Sequence, residues 1–391
     1  MSATPLAGLK VVEFTHMVMG PAVGHILASL GAEVVRVEPI GGDQTRRLLG
    51  SGAGYFPMYN RHKDSICLDL KSEDGLRIAK KLAERADILI ENFRPGALDR
   101  LGLGYDALSE ANPRLIYCSE KGFLPGPYEN RTALDEVAQM MGGLAYMTGP
   151  PGRPLRAGAS VIDVTGGMFG VIAILAAVEE RHRTGQGQKV QSSLFETTVY
   201  LVGQHMAQKA VTGRAADPMP ARISAWAIYD VFETADDSHV FIGVVTDALW
   251  QKFCELFGLD DLWADQSLRR NNERVLARDR LMPHIRALVK TFARDDIIAK
   301  LDGTGLPFAP IGRPEDLFDD PHLLASGGLE AVTLDDGRET LLPGLPIEMD
   351  GARVGGSDSL PQPGADTRAV LAGLGYDAAA IDALLAAGSA A

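Results

Sequence analysis

Asp163 is the residue whose surroundings offer the most chemistry. It stands in Gly158-Ala-Ser-Val-Ile-Asp-Val-Thr-Gly-Gly, just ahead of an uncharged apolar run at 168–178. That run predicts a helix buried on most faces. Thr165 is its expected N-cap, 179–183 its charged exit and Gly185 its stop. A carboxylate there meets the positive end of the helix dipole and free backbone N–H groups, which favours its ionised form by up to ~2 kcal/mol. Such a carboxylate can act as a nucleophile, and the N–H groups can supply part of an oxyanion site. The same spacing also suits a plain helix cap.

The elements that must hold Asp163 read as an α/β fold. A strand at 9–14, a helix from Pro21 to a stop at Gly31 and a strand at 32–38 form a βαβ unit, which implies a parallel sheet. Further strands are expected at 66–70, 87–91, 114–119 and 188–194, with helices at 73–86, from 131 through 146, and at 195–212. Gly20 and Gly24 do not make a GxGxxG fingerprint, so a nicotinamide site is disfavoured. Loops around Arg46, Asn92–Arg94 and Lys121 follow strands and would gather on one sheet edge, where ligands of open α/β sheets bind. Together they favour a phosphate-bearing ligand. Met17, Met19, Met140 and Met141 could line an adaptable pocket, or simply pack the core.

Two domains are expected: a large one from 1–213 and 327–391, and a small α+β one at 226–326 after a linker at 214–225. The small domain should hold a hairpin around Asp236-Asp237-Ser238 and helical patterns at 246–258 and 276–301. A helical hairpin at 365–387 closes the chain, with an alanine-rich tail from Ala378 expected to fray. The net charge of −13 argues against nucleic-acid or anionic-membrane binding. Three scattered cysteines without a CxxC argue against a disulfide framework or metal site and fit a cytoplasmic protein. The start has no signal-peptide pattern, and no apolar run is long enough to span a bilayer.

The chain resembles the CaiB/BaiF family, the class III coenzyme A transferases, the formyl-CoA:oxalate enzymes among them. The resemblance covers nearly its whole length. Its markers are the stretches 8–21, 30–38, 91–102, 174–190 and 306–311, with Asp163 in its glycine-flanked setting. It implies a Rossmann-like large domain with a parallel sheet built from both chain ends, a small domain between them, and two chains interlocked as rings. It also implies coenzyme A as a co-substrate, no tightly bound cofactor, and small carboxylic acids as substrates. Asp163 becomes the expected nucleophile. By position, CoA contacts fall on Met17, Val18, Pro39, Leu68, Asp69, Leu70, Lys71, Asn92, Phe93, Arg94, Arg100, Lys121, Arg131, Thr132, Ala133, Leu134 and Asp135. The substrate pocket falls on His16, Met17, Val18, Leu48, Leu134 and Asp135. Pro39 and Thr132 replace an arginine and a lysine of the family, for which Arg46 or Arg131 could substitute. The related 2-methylacyl-CoA racemases need a histidine where Leu134 stands, which disfavours proton transfer here. A non-catalytic CoA-binding subunit is the other alternative, and the retained aspartate argues against it.

Overall fold

A computed structural model describes residues 4–222, 224–356 and 358–391. The chain divides into two compact units, Met1–Pro220 with Asp320–Ala391, and Ala221–Asp319. The expected linker straddles that division, and its residue 223 lies outside the described residues.

In the large unit, β1 (Lys10–Phe14), α1 (Met19–Ser29), β2 (Glu33–Glu38), α2 (Tyr55–Tyr59), β3 (Asp64–Cys67), α3 (Glu73–Arg85), β4 (Ile88–Glu91), α4 (Tyr105–Ala111) and β5 (Ile116–Lys121) follow in order. After them come α5 (Asp135–Met141), α6 (Leu144–Thr148), α7 (Val161–Thr184), β6 (Lys189–Ser193) and α8 (Leu194–Thr212). The six strands form one sheet in the order β3-β2-β1-β4-β5-β6, and every pairing is parallel. Strand alternation builds a core on each face. Val11, Ile88 and Ile90 pack with Val23 and Leu27 of α1 and Ile174 of α7. Val12, Phe14 and Leu89 pack with Ile78 and Leu82 of α3. The chain leaves β1 toward β2 on one side, and β4 joins β1 on the other. The carboxyl end of β1 is therefore the switch point at which such sheets bind ligands.

The small unit has its own core around Trp250, Phe253, Ile285 and Ile297. Its antiparallel sheet pairs β7 (Ile228–Glu233) with β8 (His239–Val244), and β8 with β9 (Phe308–Pro310). The connecting turn puts Asp237 at φ 56°. Five helices complete it: α9 (Asp247–Phe257), α10 (Asp260–Ala264), α11 (Asn271–Leu276), α12 (Arg278–Val289) and α13 (Arg294–Leu301).

The chain then returns to the large unit through α14 (Pro321–Ala325), β10 (Leu329–Thr333), β11 (Glu339–Pro343), β12 (Glu348–Met349), β13 (Ala352–Arg353) and β14 (Asp358–Ser359). It ends in α15 (Thr367–Gly373) and α16 (Ala378–Ala386). This corrects one expectation. The large unit uses both chain ends, but its parallel sheet comes wholly from the N-terminal part. The C-terminal strands make separate sheets, β11-β10-β14 and β12-β13.

The tail does not fray either. Asp377 caps α16 through the amide of Ala380 at 2.8 Å, and Ile381 and Leu384 are buried. Beyond α16 the backbone pairs with the edge of the sheet, Ala391 N to Cys67 O at 3.1 Å and Asp69 N to Ser389 O at 3.1 Å. An exposed edge strand is a template for wrong pairing, and this tail covers it.

Helix α7 also departs from its reading. It starts at Val161, so Asp163 lies in its first turn, and Thr165 is no cap: its hydroxyl donates back to Val161 O at 2.5 Å. With 24 residues, α7 is long and apolar enough to cross a bilayer, but it packs in the core through Ile162, Gly170, Ile174 and Val178. Its other side is open in the single chain: Met168, Ile172 and Leu175 are exposed. Gly167 faces Met19 O, where a Cβ would come within 2.9 Å, so only glycine lets α1 approach α7 this closely.

Candidate active site

The site grows from the carboxyl end of β1. Beneath it lies a buried charge network. Arg36 of β2 donates to Glu13 at 3.0 Å and to Thr15 at 3.1 Å, and pairs with Asp43. Lys63 donates to Glu13 at 2.8 Å. Arg46 grips Glu38 with two hydrogen bonds, at 2.9 and 2.6 Å. Burial would raise the Glu38 carboxyl, but Arg46 and Arg36 together draw it down to about 2. The network holds the 43–47 loop against β1. Thr45 Oγ1 then accepts the Met17 amide at 3.3 Å, and Met17 sits at φ 62°. A non-glycine residue in that left-handed region is strained, and such strain collects at functional sites.

This network corrects the reading of a free basic rim. The Arg46 side chain is buried and ion-paired to Glu38. Lys121 pairs with Glu91 at 2.6 Å and donates to Phe93 O at 2.7 Å. Their charge is spent inside the protein, so neither offers a free cation to a phosphate. Arg131 stacks on Tyr128, 5.0 Å from the ring centre. Lys71, Arg94 and Arg100 are exposed.

Two adjoining cavities share His16 and Met17. The first, of 610 Å³, opens at the ends of β1, β2 and β3 and is lined by Phe14, Met17, Pro39, Leu68, Asp69, Leu70, Lys71 and Phe93 among others. The second, of 280 Å³, is lined by His16, Met17, Val18, Met19, Tyr55, Asn92, Glu120, Lys121, Ala133, Leu134, Asp135 and Asp163 among others. Asn92 joins them. Its side chain takes the His16 amide at 3.0 Å, donates to the His16 carbonyl at 2.9 Å, and so fixes the wall between. The His16 ring stacks on Phe93 at 5.3 Å. Most of the expected contacts are therefore gathered. Arg94, Arg100, Arg131 and Thr132 line neither cavity. Leu48 lines neither, because it lies against Gly52 instead. Met140 and Met141 are also outside both, while Met17 and Met19 line the second.

Asp135 and Asp163 divide two roles that the sequence left on Asp163 alone. Asp135 Oδ2 accepts the amides of Ile162 at 2.8 Å and Asp163 at 3.1 Å. It caps α7 from a distant segment, and Gln139, bonded to its other oxygen, holds it in place. The Asp163 carboxyl makes no hydrogen bond among the described residues and faces the cavity. Two consequences run against the reading from sequence. The Ile162 and Asp163 amides in the first turn of α7 are occupied by Asp135, so these two are not a free oxyanion site. The Asp163 carboxyl is also shifted up rather than down. Burial, then the charges of Asp135 and Glu136, push it up to about 7.

Glu120 and Tyr55 were not singled out from the sequence. Glu120 lies just past the strand expected at 114–119, but β5 runs through to Lys121 and buries it. The signal available was a lone carboxylate directly after an apolar strand. Tyr55 follows the glycine-rich 50–54 segment and opens α2.

The family model for CoA-transferase family III matches residues 6–367. Succinyl-CoA:glutarate CoA-transferase of Mus musculus is 32% identical over 99% of this chain and 90% of its own length. Acetyl-CoA:oxalate CoA-transferase of Acetobacter aceti is 34% identical over 89% of this chain and 90% of its own. A CaiB/BaiF family protein from Brucella suis superposes with a TM-score of 0.84 at 34% identity, over 96% of this chain and 100% of that one. With this fold, and with these relatives along nearly its whole length, the chain belongs to CoA-transferase family III and is a CoA-transferase.

Proposed function

We propose that the chain moves coenzyme A from an acyl-CoA donor, succinyl-CoA or a similar thioester, to a small carboxylic acid, with Asp163 as the covalent carrier. The observation that carries this is the division of labour at α7. Asp135 does the capping, which leaves the Asp163 carboxyl uncommitted in a cavity. Ionised Asp163 attacks the donor carbonyl, and the C–S bond breaks to give an acyl-aspartyl anhydride and CoA thiolate. The thiolate attacks the aspartyl carbonyl and frees the donor acid, leaving aspartyl-CoA. The acceptor carboxylate then attacks that thioester. Thiolate released in this step takes the acyl group from the new anhydride and restores Asp163. No net proton is transferred, which fits a wall residue as inert as Leu134.

The 610 Å³ cavity suits the CoA body, with Phe93 at its edge and exposed Lys71 at its rim. Arg94 and Arg100 serve the phosphates from outside it. The relatives named above act on glutarate and on oxalate. That supports a short dicarboxylic acid here.

The protein functions as an interlocked homodimer in this reading. The exposed apolar stripe on α7, continued by Tyr200 and Met206 of α8, supports it. Light scattering should give twice the 41.8 kDa chain mass. A monomer at micromolar concentration would refute the dimer.

The test of the chemistry is intact mass after brief incubation with succinyl-, acetyl- and formyl-CoA in turn. A CoA-sized adduct on the peptide holding Asp163, lost in Asp163→Asn, is the expected result. An Asp163→Ala variant with full transferase activity would overturn the mechanism.

A further inference from the structure

Glu120 is a buried carboxyl that the chemistry above does not use. It closes the inner end of β5 and lines the same 280 Å³ cavity as Asp163, yet is only 2% exposed. Its Oε1 accepts from Cys118 Sγ at 3.1 Å. Its Oε2 is buried without a hydrogen-bond partner. Gly170 of α7 makes room for it, since a Cβ there would come within 2.1 Å of Oε1. A buried polar atom left unpaired costs free energy, so one that lines a cavity calls for a partner.

The state of this carboxyl decides what it offers. The charged neighbours are Lys121 on its own strand and Glu91 on β4; Lys121 is already paired to Glu91. Burial raises Glu120 to about 8, with Glu91 adding to the rise and Cys118 and Lys121 opposing it. At neutral pH it is therefore a carboxylic acid with an O–H to donate. Several other donors on this wall are committed: the Ile162 and Asp163 amides to Asp135, Asn92 Nδ2 to His16 O, and Lys121 Nζ to Glu91 and Phe93 O; the hydroxyls of Tyr55 and Ser160 also line it.

We propose that Glu120 is a specificity-determining residue, which donates a hydrogen bond from Oε2 to an oxygen on the acyl chain beyond the thioester carbonyl, a hydroxyl or a second carboxyl. This rests on the reading of the cavity as the acyl site. A site built to hydrogen-bond a substrate oxygen discriminates strongly against the analogue that lacks it.

The test is calorimetric binding to the full-length Asp163→Asn protein, in which no covalent capture intervenes. The ligands are butyryl-CoA, 3-hydroxybutyryl-CoA and glutaryl-CoA. With Glu120 present, at least one oxygenated thioester should bind about tenfold or more tighter than butyryl-CoA. Which one does so tells a hydroxyl from a carboxyl. Adding Glu120→Val should bring that ratio to within about twofold, while Glu120→Gln, whose amide still donates, should keep most of it. A ratio indifferent to residue 120 overturns the proposal and leaves the CoA site standing. If none of the three thioesters binds, both readings fall.

Discussion

Replacing Asp163 by Asn should make the protein more stable, and the gain should depend on pH. The Asp163 carboxyl is pushed from 3.8 to about 7 by burial and by Asp135 and Glu136. A native value above the unfolded one means that the native state binds the extra proton. Stability then falls as pH rises from about 4 to about 7, and the full cost of the charge is present above that. An upward move of this size corresponds to about 4 kcal/mol as an upper bound. Asn keeps the shape of the neutral acid and never acquires the charge. At pH 8, Asp163→Asn should therefore melt higher than the parent, by about 1–2 °C per kcal/mol. At pH 5 the gap should shrink by roughly two-thirds, because the parent then keeps its proton. Scanning calorimetry of both proteins at the two pH values measures it. A variant no more stable at pH 8, or a gap that does not change with pH, would refute a strained, uncommitted Asp163.

Three other outcomes follow from the same geometry. Formation of the Asp163–CoA adduct should rise with pH around a midpoint near 7, because only the ionised carboxyl attacks; a rate flat from pH 5 to 8 would place the titration elsewhere. Asp135→Ala removes the cap from two α7 amides and should cost about 1–2 kcal/mol in urea unfolding, with adduct formation slowed as the first turn loosens. Arg46→Ala should cost about 1–3 kcal/mol, since Glu38 loses its ion pair but keeps the Asp43 amide and the Ser65 hydroxyl; no measurable loss would show that this pair does not hold the loop.

Much of this protein is legible along the chain. The βαβ start, the strands around 88–91 and 116–121 and the helix after Ser72 are local patterns, in which side-chain periodicity and capping residues sit close together. The order of motifs from residue 8 to residue 311 places Asp163 at the centre. The long-range pairings are another matter. Arg46 and Lys121 read as free cations because their partners, Glu38 and Glu91, lie on other elements. Nothing in the spacing of residues 158–167 shows that Asp135, 28 positions upstream, caps α7 and frees Asp163. Nor does it show that burial, with Asp135 and Glu136 nearby, raises the Asp163 carboxyl. Glu120 became a cavity residue only when β5 ran further than expected and Gly170 made room beside it. The tail from Ala378 folds because its backbone finds the open edge at β3. Sequence determines which residues can do chemistry and which elements form. Tertiary structure decides which charges are neutralised, which carboxyl is left free and how much water each one keeps, because those depend on neighbours that the chain brings together only when it folds.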